Sequence, residues 1–411
     1  MSRRLQGIVN LPGSKSESNR ALMIAAYGNF TPNIDHLSEA HDTVLLRTLL
    51  NGMPLQGGMT EQPFLVDCED AGTVARFLMT YLAGSPGTWF LTGTKRLLER
   101  PMAPLVDALC QLGADITFDT SCKAYKINGR PIHGGSVILD ASQSSQFASS
   151  LLLAAPTWER GLRLSLAGNP TSMPYLEMTI KMMAHFGIQV IREGNTFIVE
   201  HQPYQPRPVT VSADWSAASY WYEMLALSDG GSLLLRGLGA DSSQGDAVVA
   251  EWFKVFGVNT EFVDGGALIT LDGMPKHDVG TLSFDFRHNP DLFPSVFVTC
   301  ISLHFDTVFD GISNLFLKES DRVNGLISEL SKIYTFINVL YDDKLIIEKS
   351  VIQYNNIYDN GIIFKTYHDH RVAMALAGLM MRFNGLSLDV PDVVRKSYPT
   401  FWDDVQKICH T

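Results

Sequence analysis

Cations and hydroxyl side chains are concentrated in the ten-residue segment Leu11–Arg20, LPGSKSESNR. Within it, Pro12-Gly13 predicts the end of a strand or a turn. The apolar run Ala21–Ala26 predicts a buried helix that Ser16 or Ser18 would cap. A lysine and an arginine near a helix start favour binding of an anion such as phosphate, because free backbone N–H groups point outward there. The segment lacks the glycines of a nucleotide P-loop, and by itself it is equally compatible with simple helix capping.

Two later junctions between a turn and a predicted helix have the same character. One is Glu69–Thr73, where Gly72 would let a ligand approach the backbone closely. The other is Ser142–Gln146, in which Ser144 and Ser145 could hydrogen-bond phosphate oxygens. Ordinary helix capping also explains each junction taken separately.

The densest charged cluster is Leu317–Arg322, which we place at the start of another helix. Lys318 and Arg322 are four residues apart, so a helix that includes both would carry them on one face, with Glu319 beside them. Such a face suits an anion held next to a carboxylate that transfers a proton. A solvated, charged first turn would have the same pattern.

A fourth candidate anion site follows in Tyr367–Arg371, just before an apolar helix. Its two histidines are spaced like metal ligands on a strand, but no third ligand cluster accompanies them, so we predict no metal site. A turn that presents Arg371 to an anion, with Asp369 and His370 orienting neighbouring groups, fits better. Lys396 adds a further cation before the last predicted helix.

The elements that must position these residues are repetitive. A helix that ends near a glycine and leads directly into a strand recurs along the chain, at intervals of roughly 60 to 80 residues. These helix ends lie near Gly52, Gly113, Gly187, Gly257 and Tyr334. We interpret the repeats as two similar α/β halves that meet near the proline-containing segment His201–Pro208, with a ligand cleft between them. Generic helix-to-strand punctuation is the alternative.

Composition limits the classes of partner. The chain has 411 residues, of which 45% are hydrophobic and 18% charged, as in ordinary globular proteins of two domains. Its net charge of −11 argues against nucleic acid or an anionic membrane as the main partner. The five cysteines are scattered, which favours buried thiols in a reducing cytoplasm over disulfides or zinc ligands. Neither an export signal nor a membrane span is predicted.

Taken in order, these segments resemble the EPSP synthase family of enolpyruvyl transferases over the whole chain. The matching motifs are Leu11–Ser16 with Asn19-Arg20, Ala71–Thr73 with Arg76, Glu99–Pro101, Ser144–Gln146, Ser172 with Pro174-Tyr175, Pro290-Asp291, Asn314 with Lys318–Arg322, Asp369–Arg371 and Lys396–Pro399. The resemblance implies an α/β fold of two domains, built from repeated βαβαββ units, with the active site in the interdomain cleft. Residues 1–12 and 214–411 would form the first domain, and residues 13–213 the second.

The resemblance also implies the reaction. The enolpyruvyl group of phosphoenolpyruvate would be transferred to the 5-hydroxyl of shikimate 3-phosphate through a tetrahedral intermediate, giving 5-enolpyruvylshikimate 3-phosphate and phosphate in aromatic amino acid biosynthesis. The two substrates are the expected partners. No cofactor is expected, and the family expectation is a cytoplasmic monomer.

Site residues carried over by motif fall into two overlapping binding sets and one catalytic set. The shikimate 3-phosphate set is Lys15, Ser16, Arg20, Ser144, Ser145, Gln146, Ser172, Tyr175, Asp291, Asn314 and Lys318. The phosphoenolpyruvate set is Lys15, Gly72, Arg100, Gln146, Arg322, Arg371 and Lys396. Asp291 is the candidate base for the attacking hydroxyl, and Glu319, assisted by Lys15, is the candidate proton donor to the methylene. The many cations would offset repulsion between two phosphates and two carboxylates.

Two alternatives remain at this stage. The sister transferase acting on UDP-N-acetylglucosamine usually carries a reactive cysteine in the loop before its Arg-Pro motif, whereas the corresponding loop here, Thr94–Glu99, has none. A non-catalytic anion-binding paralogue would not need both Asp291 and Glu319. Asp70 and Val74 depart from the family's usual Asn and Ala, and Asn289–Asp291 is less standard than its surroundings.

Overall fold

The computed structural model of the chain describes residues 3–53, 63–271, 273, 280–352 and 361–409. The chain folds as two compact units. Unit 1 comprises Met1–Ser14, Glu39–His41 and Ser212–Thr411, and unit 2 comprises Lys15–Ser38 and Asp42–Val211. Within the described ranges, no helix is long and apolar enough to cross a membrane.

The described residues form 20 strands and 13 α-helices. The strands are β1 (Leu5–Asn10), β2 (Ile34–Asp35), β3 (Phe64–Asp67), β4 (Gly87–Thr92), β5 (Ile116–Asp119), β6 (Ala124–Gly129), β7 (Gly135–Asp140), β8 (Leu162–Ala167), β9 (Val190–Glu193), β10 (Thr196–Val199), β11 (Val209–Thr210), β12 (Gly231–Arg236), β13 (Val258–Val263), β14 (Gly266–Leu271), β15 (Leu282–Asp285), β16 (Thr307–Asp310), β17 (Tyr334–Tyr341), β18 (Lys344–Ile352), β19 (Ile362–Phe364) and β20 (Leu386–Leu388). The helices are α1 (Lys15–Gly28), α2 (His41–Gly52), α3 (Gly72–Gly84), α4 (Lys95–Glu99), α5 (Ala103–Gln111), α6 (Ser145–Ala154), α7 (Met173–His185), α8 (Trp215–Leu227), α9 (Val249–Trp252), α10 (Phe293–Ser302), α11 (Arg322–Leu330), α12 (His370–Gly378) and α13 (Phe401–Cys409).

Four four-stranded sheets share one topology, which confirms the predicted repeat. Their strand orders are β1-β12-β14-β13, β3-β4-β6-β5, β7-β8-β10-β9 and β15-β16-β18-β17. In each, the first two strands are parallel and the other two pairs are antiparallel. In the last three the chain order is strand, helix, strand, helix and hairpin, a βαβαββ unit. The parallel pair needs a helical crossover, whereas the antiparallel strands need only a turn.

Glycines end three of the predicted helices as the sequence indicates. Gly113, Gly187 and Gly257 have φ values of +99°, +87° and +88°, a conformation that glycine adopts without strain. After Gly187 the strand begins at Val190 rather than directly after the glycine. The helix before Gly257 is interrupted, since α9 is flanked by the 3-10 turns Gly245–Val248 and Phe253–Phe256.

Two local predictions are wrong. Helix α1 begins at Lys15, so Ser16 and Ser18 lie inside it rather than capping it, and the Ser18 hydroxyl accepts a hydrogen bond from the Ser38 backbone instead. Helix α11 begins only at Arg322, so Lys318 does not share a helical face with it. The physical reason is that Asp321 caps α11, accepting the backbone N–H of Asn324, while Lys318 is extended.

Each unit has its own hydrophobic core, and helices buried on all sides lie at its centre. In unit 1 every residue of α8 and α10 is buried, and both pack against α12. In unit 2 the central helices are α3 and α6, with α1 and α7 packed on α6. Because these helices are rigidly held, their N-terminal ends present side chains from fixed positions.

Candidate functional site

Nearly all predicted site residues follow the carboxyl ends of parallel strands. Such ends meet at one edge of a sheet, where the succeeding loops and helix N-termini come together. In unit 2, β3 and β4 lead to Gly72 and Arg100, and β7 and β8 lead to Ser144, Ser145 and Ser172. In unit 1, β15 and β16 lead to Asp291 and the segment from Asn314 to Arg322, and β19 and β20 lead to Arg371 and Lys396.

Arg20, one of the predicted anion-binding residues of unit 2, is buried, at 1% exposure. Its Nε donates to the Thr179 hydroxyl (2.7 Å), and its Nη1 to the Ser16 carbonyl (2.9 Å). Its Nη2 donates to the Ser149 hydroxyl (3.3 Å) and to the Tyr175 carbonyl (3.0 Å). Burial lowers the pKa of Arg20 to about 10. All four acceptors are uncharged, so a bound anion would stabilise this buried charge.

Arg20 therefore joins Ser16 and Tyr175, two other predicted shikimate 3-phosphate ligands, through their backbone carbonyls. Sequence reasoning missed Thr179 and Ser149, whose hydroxyls accept the other two hydrogen bonds from the Arg20 guanidinium. A signal for Thr179 is present, because it lies four residues after Tyr175, and its hydroxyl donates to the Tyr175 carbonyl at 2.8 Å.

Serines precede two helices of unit 2: Ser144 caps α6, and Ser172 lies before α7 in a strained backbone conformation. Ser144 caps α6, accepting the Gln146 backbone N–H at 3.2 Å, as the capping interpretation predicts. Ser172 precedes α7 with φ +56°, a left-handed conformation that costs a non-glycine residue energy, and makes no side-chain cap. The neighbouring Thr171 hydroxyl is buried and has no hydrogen-bond partner among the residues described. Sequence reasoning missed Thr171, and a ligand oxygen would satisfy its hydroxyl.

Gly72 lies against two guanidinium groups. A Cβ at this position would be 2.6 Å from Nη1 of Arg100 and 2.9 Å from Nη1 of Arg76, so only glycine leaves room for both. Arg76 donates to the side-chain oxygen of Gln146 (2.5 Å), whose nitrogen donates to the Thr73 hydroxyl (2.9 Å). The start of α3 is thereby joined to Gln146, and the positive charges lie where a helix N-terminus already favours an anion.

Lys15 is already ion-paired inside unit 2. Its Nζ lies 3.0 Å from Oδ2 of Asp42, and the two side chains are 13% and 3% exposed. Sequence reasoning missed Asp42, which lies in the first turn of α2, where an acidic residue is common. The pair holds the lysine amine in a fixed place.

In unit 1, Arg322 is surrounded by three carboxylates. Its Nη1 lies 3.0 Å from Asp291, its Nη2 2.9 Å from Glu319 and its Nε 2.9 Å from Asp369. Burial alone would lower the pKa of Arg322, but the three carboxylates outweigh it and raise the pKa. The guanidinium thus stays charged and fixes the two proposed proton-transfer groups, Asp291 and Glu319, on adjacent nitrogens.

Asp291 is held by a second arginine as well. Nη2 of Arg371 lies 2.7 Å from Oδ2 of Asp291. Burial alone would raise the pKa of this carboxyl, but the charges of Arg371, Arg322 and Lys318 outweigh it and hold the pKa well below its usual range. Asp291 is therefore a carboxylate at any physiological pH, and its strength as a base depends on whether these cations remain beside it.

Asp369 organises the same cluster, as predicted. One oxygen accepts the Arg371 backbone N–H (2.9 Å) and caps α12, and the other accepts from Ser320 (3.0 Å) and Arg322. The Asn314 side chain is 6% exposed, and its Oδ1 has no hydrogen-bond partner among the described residues. A ligand hydroxyl would satisfy that oxygen.

Lys318 and Lys396 complete the set of cations predicted for this unit. Lys318 lies close enough to lower the pKa of Asp291, although it precedes the helix rather than sharing its face. Lys396 ends the 3-10 segment Pro391–Lys396 and is 5% exposed. Within the described parts of the chain, no three or more His, Cys, Asp or Glu form a group that could hold a metal ion.

Comparison with known proteins agrees with these features. Residues 1–405 match the family model described as EPSP synthase (3-phosphoshikimate 1-carboxyvinyltransferase). A 3-phosphoshikimate 1-carboxyvinyltransferase of Bacteroides fragilis is 37% identical over 408 residues, covering 98% of this chain and 95% of the relative. The EPSP synthase structure from Acinetobacter baumannii matches with a TM-score of 0.73 at 23% identity, covering 100% of this chain and 97% of that one. The enolpyruvyl transferase NikO from Streptomyces tendae matches with a TM-score of 0.74 at 15% identity, covering 99% and 95%. The chain belongs to the EPSP synthase family.

Proposed function

We propose that this chain transfers the enolpyruvyl group of phosphoenolpyruvate to the 5-hydroxyl of shikimate 3-phosphate, releasing phosphate. The observation that carries the proposal is the sharing of one buried guanidinium, Arg322, between Asp291 and Glu319. The reaction needs one group that accepts a hydroxyl proton and one that protonates a methylene carbon, and two carboxylates on one cation suit that pair of tasks.

The shikimate 3-phosphate ligands remain those predicted from the sequence. In unit 2, Arg20 and the hydroxyl-rich starts of α6 and α7 support them, because a buried cation with neutral acceptors and a buried, unpartnered Thr171 hydroxyl both suit an anion. In unit 1, the unpartnered Oδ1 of Asn314 suits a sugar-like hydroxyl. The proposed set is Lys15, Ser16, Arg20, Ser144, Ser145, Gln146, Ser172, Tyr175, Asp291, Asn314 and Lys318.

The phosphoenolpyruvate ligands are likewise proposed from the motifs. Arg371 and Arg322 carry charges that a carboxylate or phosphate would share, and the close approach of Arg100 to Gly72 leaves a cation at a helix start. The proposed set is Lys15, Gly72, Arg100, Gln146, Arg322, Arg371 and Lys396.

Proton transfer follows from these placements. Asp291 accepts the proton of the 5-hydroxyl as the hydroxyl oxygen bonds to C2 of phosphoenolpyruvate, and Glu319, which carries a proton at this step, delivers it to C3 with the help of Lys15. Glu319 then takes a proton back from C3 as the C2–O bond to phosphate breaks. The electron pair of that bond leaves with phosphate, which gives the enol ether and phosphate. Anions that bind Arg371 and Arg322 draw these cations away from Asp291, which raises its pKa from its depressed value and strengthens the base when substrate is present.

The alternatives are disfavoured by the same observations. A non-catalytic anion-binding protein gains nothing from two carboxylates on the cation that must attract its ligand. A transferase acting on UDP-N-acetylglucosamine is disfavoured by the names of the curated relatives and by the loop Thr94–Glu99, which lacks a cysteine.

A coupled phosphate-release assay tests the proposal. With phosphoenolpyruvate present, we expect phosphate release that requires shikimate 3-phosphate and does not occur with UDP-N-acetylglucosamine. Release only with the nucleotide sugar would establish the sister reaction, and release with neither would establish the binding-only alternative. We also expect a cytoplasmic monomer, and light scattering after size-exclusion chromatography measures the oligomeric state directly.

A further inference from the structure

A carboxylate that no motif singles out lies behind Asp291 in unit 1. Asp246 is 2% exposed and belongs to the 3-10 turn Gly245–Val248, which follows the carboxyl end of β12. Gln244, two residues before Asp246, fixes this turn to the start of α8. Its side-chain nitrogen donates to the Ala213 carbonyl (2.8 Å), and its oxygen accepts the Trp215 backbone N–H (2.9 Å).

Asp246 connects two elements of the proposed site. Its Oδ2 accepts a hydrogen bond from the Ser216 hydroxyl in the first turn of α8 (2.5 Å). Its Oδ1 accepts from Nδ2 of Asn289 (3.3 Å). Asn289 precedes the 3-10 turn Pro290–Leu292, which carries Asp291. Asn289, which belongs to a segment less standard for the family than its surroundings, therefore links a buried carboxylate to the proposed base.

The surroundings of Asp246 disfavour the charged form of its carboxyl group. Burial and the charge of Asp291 raise the pKa of Asp246 to about 6, while the hydrogen bonds from Ser216 and Asn289 and the charge of Arg371 act in the opposite direction. Asp246 is therefore an anion near neutral pH, next to a second anion. Its charge favours proton uptake by Asp291, which is the direction that a base requires.

We propose that Asp246 is a positioning residue for the reaction, which anchors Asn289 and thereby fixes the backbone turn and orientation of the base Asp291. This inference rests on the proposed function of Asp291. Asp246 itself touches no substrate in the proposal. It acts through Asp291, so its removal should slow the chemical step rather than weaken the binding of either substrate.

Three substitutions distinguish the effect of the hydrogen bond between Asn289 and Asp246 from the effect of the negative charge of Asp246. Asp246→Asn can turn its amide so that the oxygen accepts from Asn289 and the nitrogen donates to Ser216, which keeps both hydrogen bonds without the charge. Asp246→Ala removes the anchor. Asn289→Ala removes only the link and leaves Asp246 in place, so it serves if Asp246→Ala fails to fold. Asp306→Asn, at an exposed carboxylate of the same unit, is the matched control.

We expect kcat to fall about 10- to 100-fold in Asp246→Ala and in Asn289→Ala, with KM for each substrate changed less than about threefold, and a smaller loss in Asp246→Asn. The deciding measurement is a double-mutant cycle. In an Asp291→Asn background, single-turnover release of labelled phosphate should change less than about threefold on adding Asp246→Ala, because the residue through which it acts is already lost.

Equal fold-losses in both backgrounds, or a loss confined to KM, would overturn the inference, because a merely structural role is additive. Circular dichroism and thermal melting must show a folded protein in each case. If the wild-type protein releases no phosphate, the proposed function itself fails. If the wild type is active and neither Asp246→Ala nor Asn289→Ala alters kcat, only the role of Asp246 fails.

Discussion

The two units hold their buried arginines in opposite ways. In unit 1, Arg322 contacts three carboxylates, and Arg371 contacts Asp291. In unit 2, all four hydrogen bonds of Arg20 go to neutral oxygens, and Arg76 donates to the Gln146 amide and to the Pro101 carbonyl. Charge is therefore compensated by direct ion pairs around Arg322, whereas the charge of Arg20 is left largely for an anion to compensate.

On the proposed function, this difference gives the arginines of the two units different roles. An anion approaching Arg322 or Arg371 competes with carboxylates that are already bound, so part of its binding energy goes into displacing them. In the proposed mechanism, the displaced carboxylate becomes a stronger base, so that anion binding promotes proton transfer. An anion approaching Arg20 meets no such competitor on the guanidinium, so we expect Arg20 to contribute to affinity and Asp291 to contribute to rate.

The largest expected effect comes from removing the charge of Asp291. In Asp291→Asn, kcat should fall about 10²- to 10⁴-fold, the range that general base catalysis typically supplies. Phosphoenolpyruvate should bind no more weakly than to the wild type, because Arg371 and Arg322 lose a competing anion. Steady-state phosphate release and equilibrium titration measure the two quantities.

Asp306→Asn controls for loss of a carboxylate elsewhere in unit 1 and should leave both quantities unchanged. Near-normal turnover in Asp291→Asn would remove the base assignment, and with it the contrast between a unit 1 residue that sets rate and a unit 2 residue that sets affinity.

The next largest effect tests Arg20. Arg20→Lys keeps the charge but cannot reproduce the four hydrogen bonds to Thr179, Ser16, Ser149 and Tyr175. We expect KM for shikimate 3-phosphate to rise about 10- to 100-fold while kcat changes much less, since uniform binding is lost. Initial rates over a range of shikimate 3-phosphate concentrations give both values.

Arg163→Lys is the matched control, because Arg163 is about half exposed and its ion pair is with the exposed Glu193. A fall in kcat of Arg20→Lys with unchanged KM would show that the two units do not divide affinity and rate in this way.

A smaller effect is expected at Gly72. In Gly72→Ala the added methyl group meets Nη1 of Arg100 at 2.6 Å, so the guanidinium must shift. We expect KM for phosphoenolpyruvate to rise roughly fivefold to tenfold, with little change in KM for shikimate 3-phosphate. Gly84→Ala, at the other end of α3, where a Cβ meets nothing within 4 Å, is the control. Unchanged KM in Gly72→Ala would mean that Arg100 does not act on phosphoenolpyruvate.

The smallest effect concerns a carboxyl of unit 1 that lies outside the paired cluster. Glu223 is fully buried in α8 beside Gly378, and neither oxygen has a hydrogen-bond partner among the residues described. Burial raises its pKa well above the usual range. The folded protein therefore keeps this proton while the unfolded chain loses it, and stability falls as pH rises above the unfolded pKa.

Glu223→Gln removes that ionisation without filling or emptying space. Relative to the wild type, the variant should gain a few degrees in Tm at pH 8 and little or nothing at pH 4, where the unfolded chain also keeps most of its proton. Thermal melts at the two pH values measure the difference, and the exposed Glu251→Gln serves as control. An equal change in Tm at both pH values would show that Glu223 is not held neutral in the fold.

Much of the fold was predictable because local signals agree with it. Glycines with positive φ end helices before strands, as the repeated pattern in the sequence indicates. The predicted charged face of Lys318 and Arg322 failed because spacing cannot reveal where a helix begins. The capping role of Asp321 moved that start by four residues.

Asp42, Thr171, Asp246 and Asn289 show what local patterns cannot supply. The first three belong to no motif, and they gain significance only from neighbours distant in the chain: Lys15 beside Asp42, the Ala141 carbonyl that accepts from the Thr171 backbone, and Asn289 beside Asp246. Parallel pairing of β7 with β8 brings Thr171 to Ala141. The other two contacts join segments that follow strands of different sheets, so no strand pairing predicts them.

Motifs and local periodicity are enough to predict the family resemblance, the α/β repeat and the residue types available for binding two anions. They do not show which of these charges are already compensated, because that depends on contacts made in the folded chain. Arg20 and Arg322 look alike in the sequence, as single arginines near helix starts. Folding surrounds Arg20 with neutral oxygens and Arg322 with three carboxylates. The groups packed around a buried arginine determine how far its charge is compensated before a ligand binds.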